Sequence, residues 1–306
     1  MLLYIAMIIV VTIPVIGILK LLSIIVPAPS GGGTLGSLVD IFFSMCISIT
    51  LILAAWMTLH WFDRRPIILL GLVFSTRGIR EFSLGFGIGF VNMFLLFILL
   101  WTLGFIEVTA ININLQGSLI ILQYMVFFTF GAAIEELIFR GYFFQTLIES
   151  TRSWIATLIV SLAFAAIHVS NANYNLLSAL HLFMHGILFC LVYIKTRSLW
   201  IPIGMHAAWN WVQGALLGIN VSGTPISNSL LTSMLKGGEI LSGGEFGIEG
   251  SILSPVLSLI IIIYLWKAKW FKPSQFQYDL WKKYPAGFGI APLAIETNNI
   301  SITEDV

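Results

Sequence analysis

Long apolar runs, broken by short polar or glycine-rich stretches, set the pattern of this chain from end to end. A run of about 18 or more apolar residues is long enough to cross a bilayer's hydrocarbon core as a helix. Candidate spans fall at 3–26, 36–61, 82–106, 117–148, 152–170, 175–195, 199–218 and 250–266. The separators are PAPSGGGT after the first span, DRRP through TRGIRE after the second and NANYN after the fifth. The longest connection runs from Ile219 to Gly250 and is rich in Gly and Ser. The pattern predicts an all-α fold, a polytopic membrane bundle of about eight transmembrane helices. It divides into three spans over 1–110, a helical core over 111–218, an extracytoplasmic loop over 219–249, and a last span with a basic, aromatic tail over 250–306.

Composition points the same way. Of 306 residues, 58% are hydrophobic and 9% charged, against about 25% charged in a soluble domain. The net charge of +1 provides no basic patch for a nucleic acid. Cys46 and Cys190 both lie in apolar runs, which argues against a disulfide framework or a cysteine metal site. The first run has no charged residues ahead of it, is interrupted late by Lys20 and is followed by no A-x-A site, so it reads as a membrane helix rather than a signal peptide.

Charge also orients the bundle. Twelve of the fifteen Lys and Arg residues fall on one side of an eight-span arrangement: Arg64, Arg65, Arg77 and Arg80, then Arg152, Lys195 and Arg197, then Lys267, Lys269, Lys272, Lys282 and Lys283. Lys20 and Lys236 lie toward the other side, and Arg140 lies within a span. Positively charged loops stay in the cytoplasm, so both termini are expected there. Short loops and two cysteines suit a prokaryotic plasma membrane. The tail KAKWFKPSQFQYDLWKKY mixes Lys with aromatic residues; it reads equally as a membrane-surface anchor or as a solvated stop to transfer.

The fourth span carries GAAIEELIFRGYFFQ, with two glutamates and an arginine where an ionised group costs about 2.5–3.5 kcal/mol to insert. Glu136 and Arg140 are four residues apart and share a helix face, so they can pair. Glu135 lies about 100° round the helix and has no partner on it. The three groups could serve only as polar glue between helices. Further polar groups make that less economical. His168 closes FAAIH in the fifth span, and His206 opens HAAWN in the seventh, with Asn210 on its face one turn on. A carboxylate, two imidazoles and an amide converging in a dry bundle would form an acid–base site. His181 and His185 have the spacing of a zinc-binding helix, but Leu182 stands where its glutamate would be, and packing against neighbouring helices is the expectation. His60, beside Trp61, reads as interfacial.

E-E-x-x-x-R at Glu135, Glu136 and Arg140, F-x-x-x-H at Phe164 and His168, and H-x-x-x-N at His206 and Asn210 occur in that order on membrane spans. With FRG at 139–141 and SLWIPIGMHAAWNW at 198–211, the stretch 115–215 resembles the CPBP family, the CAAX proteases and bacteriocin-processing enzymes. The likeness is to type II CAAX prenyl endopeptidases, which remove the last three residues of prenylated proteins. The resemblance implies an intramembrane endopeptidase acting on a lipidated or membrane-associated protein or peptide. Glu135 would activate water, His168 would help to hold it, His206 and Asn210 would stabilise the oxyanion, and Glu136 with Arg140 would support the site. The family is often labelled as metalloproteases. Glu135, His168 and His206 could hold zinc with an open position, yet the same residues suffice for metal-free hydrolysis, and no cofactor is firmly implied. A cytoplasmic-side opening would let water in. The rival readings are a catalytically silent binding or immunity scaffold and a proton-coupled transporter, the latter lacking detectable repeats.

Overall fold

The computed structural model describes residues 2–25 and 34–283; most of the PAPSGGGT separator and the end of the tail, 284–306, lie outside the described residues. The fold is an all-α polytopic membrane bundle. Its helices are α1 (Leu2–Ile25), α2 (Thr34–Thr58), α3 (Thr76–Thr102), α4 (Leu115–Ile138), α5 (Phe144–Ser150), α6 (Ser153–Ile167), α7 (Leu176–Thr196), α8 (Trp200–Trp211), α9 (Glu239–Ser242), α10 (Leu253–Lys267) and α11 (Gln275–Lys283). Five stretches are long and apolar enough to cross a membrane: Leu2–Leu21, Ile41–Asp63, Thr76–Thr102, Gly117–Ser150 and Leu176–Thr196. Their outer faces expose side chains such as Val91, Leu95 and Leu122, which suits lipid as the solvent.

The remaining elements are shorter than the apolar pattern predicts. The expected span 152–170 ends at Ile167, and the span 199–218 is helical only over Trp200–Trp211 before a π turn at Val212–Leu216. The third span begins at Thr76, so Arg77 and Arg80 lie in its first turns rather than in a loop. Arg77 pairs there with Glu81 one turn on, 3.1 Å away. The long connection after α8 is not a plain loop. It contributes β2 (Leu231–Leu235), which pairs antiparallel with β1 (Ile106–Ile111) across a bulge between Val108 and Ala110.

α8 is the inner helix, packed on α3 and α4, while α7 lies between α6 and α10. The α3–α8 contact is close because glycines make it so. A Cβ on Gly85 would lie 2.1 Å from the Ile201 carbonyl oxygen, and one on Gly89 would lie 2.2 Å from that of Met205. Small residues let membrane helices approach in this way. Gly85→Ala is therefore expected to force α3 off α8 and destabilise by about 1–3 kcal/mol, as overpacking does. Gly87→Ala, which meets no atom within 4 Å, is expected to be neutral. Thermal unfolding in detergent separates the two.

The ends of the bundle are distinct. At one, Arg65 meets Glu149 at 2.7 Å, Ser198 donates to Glu81 at 2.7 Å, and Lys195 caps α10 through the Leu265, Trp266 and Ala268 carbonyls. α11 joins this end, with the Arg77 guanidinium 5.7 Å from the Phe276 ring centre. At the other end, Asn112 bonds to Ser229, Tyr124 to Ser227, Asn171 to Ser222, and Asn220 to Glu245. Arg65, Arg77 and Lys195 are held at the first end, whereas Lys236 pairs with Glu107 beside the β1–β2 sheet at the other.

Candidate active site

α4 does not run straight through the bundle. Its ladder breaks in a π turn at Phe139–Phe143, where Gly141 takes a non-helical ψ of −128°. Such turns re-aim side chains and recur at functional sites. Just before the break, the neighbouring glutamates separate into different surroundings. Glu136 is fully buried, and its Oε1 accepts from Arg140 Nη1 at 3.1 Å and lies 3.1 Å from His206 Nδ1. Arg140, equally buried, donates to the Gly186 carbonyl at 3.1 Å and lies 4.6 Å from the Phe164 ring centre. The pair is as the four-residue spacing predicts, and it ties α4 to α7 and α8.

Glu135 turns into the cavity instead. Its side chain is 31% exposed, and its Oε2 has no hydrogen-bond partner. That oxygen lies 3.9 Å from His168 Nε2 and 3.9 Å from His206 Nε2. The short α6 helps to bring His168 to the depth of Glu135. His168 caps the end of a 15-residue helix rather than sitting at the far end of a full span.

Hydrogen-bond partners assign the imidazole protons. His168 Nδ1 is 2.8 Å from the Phe164 carbonyl, which can only accept, so Nδ1 carries hydrogen. His206 Nδ1 faces a carboxylate and likewise donates. In each neutral ring, Nε2 then offers a lone pair toward Glu135. Three acceptors around one small space suit a water molecule, which has two protons to give. Asn210 lines the same cavity of about 240 Å³, one turn along α8 from His206.

The donor set is too open for zinc. Ligands bound at about 2.0–2.2 Å in a tetrahedral site stand roughly 3.3–3.6 Å apart, closer than the 3.9 Å that separates Glu135 from each histidine. Among the described residues no group of three or more His, Cys, Asp and Glu is placed to hold a metal. The arrangement fits water better than a metal ion.

His181 and His185 line the cavity too. Their Nδ1 atoms are 3.2 Å apart, and His181 Nδ1 lies 2.7 Å from Ser254 Oγ, so they bond to each other and to α10. His60 stacks on Trp56, ring centres 5.3 Å apart, far from the cavity lining.

Glu249 escaped the sequence reading. It is 2% exposed, lines the cavity, and accepts from Trp209 Nε1 at 2.9 Å and from the Ser222 amide and hydroxyl at 2.7 and 2.9 Å. Burial raises its carboxyl above the usual range, and its donors pull it back. A solitary Glu in GGEFGIEG carries no local signal, since its partners lie 27 and 40 positions away.

All seven residues of the three motifs fall within 117–212, and that stretch matches the family described as Type II CAAX prenyl endopeptidase Rce1-like. Residues 117–212 are thus similar to that family. A stretch of 80 residues is 34% identical to YdiL of Bacillus subtilis (strain 168), a protein provisionally named a membrane peptidase. It covers 26% of this chain and 31% of that one, so the similarity spans about a third of the relative. No solved structure matches the chain. The matched stretch runs from α4 to α8, while α1 to α3, the long connection with Glu249, and α10 lie beyond it.

Proposed function

We propose that this is an intramembrane endopeptidase of a prokaryotic plasma membrane, hydrolysing a peptide bond in a membrane-associated protein or peptide. The observation that supports it best is the unbonded Glu135 Oε2, set 3.9 Å from two imidazole nitrogens at the wall of a cavity. An unpaired carboxylate in a bundle is costly, and Glu135 lacks the arginine partner that holds Glu136.

The chemistry follows from the groups present. A water held between Glu135 and Nε2 of His168 gives one proton to the Glu135 carboxylate as its oxygen attacks the scissile carbonyl carbon. The carbonyl oxygen becomes an oxyanion and is received by Asn210 Nδ2, and by His206 Nε2 when that ring carries both protons. The intermediate collapses as the carbon–nitrogen bond breaks, and the proton held on Glu135 passes to the leaving amine. Glu136 and Arg140 act on none of these atoms. They anchor His206 Nδ1 and fix where its Nε2 points.

Comparing protein N- and C-termini by mass spectrometry, in membranes carrying wild type or Glu135→Gln, tests the reading. New ends present only with wild type would support it and identify the substrate. Identical profiles at equal expression would overturn it. Asn210→Ala is expected to lower kcat about 10²–10³-fold, the usual effect of losing one oxyanion donor, with KM little changed. Steady-state kinetics on the identified substrate peptide would show a raised KM instead if Asn210 merely bound the substrate.

A further inference from the structure

The cavity has a closed side and an open side, and they correspond to the two ends of the bundle. Toward the basic end, the Glu136–Arg140 pair is completely buried, and beneath it Leu69, Phe144, Cys190 and Tyr193 are all fully buried. Gln145 seals this layer. Its Nε2 donates to the Leu69 carbonyl at 3.2 Å and to the Tyr193 hydroxyl, joining α5, α7 and the connection before α3. Neither water nor an extended peptide has a path to Glu135 through such packing.

Exposure rises in the other direction. Glu135 is 31% exposed and His168 12%, against 0% for Glu136 and Arg140. The non-helical wall of the cavity consists of Asn171, Ser222, Thr224 and Glu249, with Val221 and Ile226 beside them. All belong to connections at the end away from the basic loops. Asn171 donates to the Ser222 carbonyl at 3.0 Å, and Gly223 N donates to the Phe246 carbonyl at 2.9 Å. Thr224 itself is exposed. The short α6 explains why the site is reached from here. Fifteen residues of helix rise about 22 Å, less than the roughly 30 Å of a hydrocarbon core. If α6 starts at the basic surface, His168 and the connection after it lie below the opposite surface, at the floor of a recess.

Basic loops mark the cytoplasmic side of a membrane protein. We infer that the Glu135 cavity opens to the extracytoplasmic face, and that its substrate is an exported segment: the outer-leaflet or extracytoplasmic part of a membrane-inserted or translocated polypeptide. The substrate half rests on the proteolytic reading above; the sidedness does not. A lipidated tail presented from the cytoplasm would meet the sealed end. This replaces the cytoplasmic-side opening that the sequence alone suggested.

Three single-cysteine variants test it, made in a Cys46→Ala/Cys190→Ala background in spheroplasts and probed with a membrane-impermeant maleimide. Thr224→Cys reports the cavity mouth. Gly238→Cys, where an added side chain meets nothing within 4 Å, reports the outer end. Ser75→Cys reports the basic end. The expected result is labelling of Thr224→Cys and Gly238→Cys in intact spheroplasts, and of Ser75→Cys only after lysis. Labelling of Thr224→Cys only after lysis overturns the inference, whether or not Gly238→Cys reacts from outside. Glu135-dependent cleavage sites on the cytoplasmic side of their substrates would overturn it equally. Outward labelling without any Glu135-dependent cleavage would remove the protease reading and leave the sidedness standing.

Discussion

Replacing Glu135 with Gln is expected to lower peptide cleavage by roughly 10²–10⁴-fold, the usual worth of a general base, with little change in thermal stability. The two halves of this expectation come from one feature. Glu135 Oε2 accepts no hydrogen bond, so neutralising the side chain breaks no contact that supports the fold. Gln keeps the size and shape of Glu, and its amide cannot take a proton from water. The rate loss corresponds to about 3–5.5 kcal/mol of transition-state stabilisation. Initial rates on the identified substrate, beside unfolding curves in the same detergent, measure both halves. Activity within a few-fold of wild type would move the base elsewhere, His168 and His206 being the imidazoles at hand, each 3.9 Å from Glu135. A large fall in stability would instead make Glu135 a structural group, and the silent-scaffold reading would regain ground.

How far the site could be read from sequence depended on whether its relations were local. Glu136 and Arg140 are one helical turn apart, so pairing followed from periodicity, and the 3.1 Å contact agrees. Glu135 was left unpaired by the same geometry. The three motifs lie on separate helices, and their convergence was an expectation raised by the inward-capable polar groups on those helices and then by the family resemblance. Apolar run length failed where the chain stops a helix for reasons of its own. FAAIH continues the apolar pattern into the fifth separator, yet α6 ends at Ile167, where the His168 ring turns back to the Phe164 carbonyl. The third helix began early because Arg77 and Glu81 satisfy each other on its surface, so charge there did not mean loop. Glu249 was out of reach altogether. Its burial depends on Trp209 and Ser222, and on glycines in the left-handed region such as Gly247, at φ 102°, which bring the strap against Asn220.

The largest effect on stability is expected at the partner glutamate. Glu136→Leu strands a fully buried Arg140 beside three aromatic rings and removes the acceptor of His206 Nδ1. Breaking a buried pair from one side typically costs 3–5 kcal/mol, on the order of half a domain's net stability, because the remaining charge is uncompensated. Arg140→Leu is expected to cost less. Glu136 would still hold His206, while Arg140's bond to the Gly186 carbonyl would be lost. The double variant Glu136→Leu/Arg140→Leu should recover much of the loss from Glu136→Leu, since apolar side chains often replace a buried pair at little cost. The coupling between the two sites, read from the four unfolding free energies, then isolates the pair from the packing around it. Activity should not recover in parallel. With Glu136 gone, nothing orients His206 in the double variant, so its stability returns while its turnover stays low. Recovery of both would place His206 under the control of its ring packing on Phe189, whose centre lies 5.3 Å away, and would reduce the buried pair to a helix-to-helix tie.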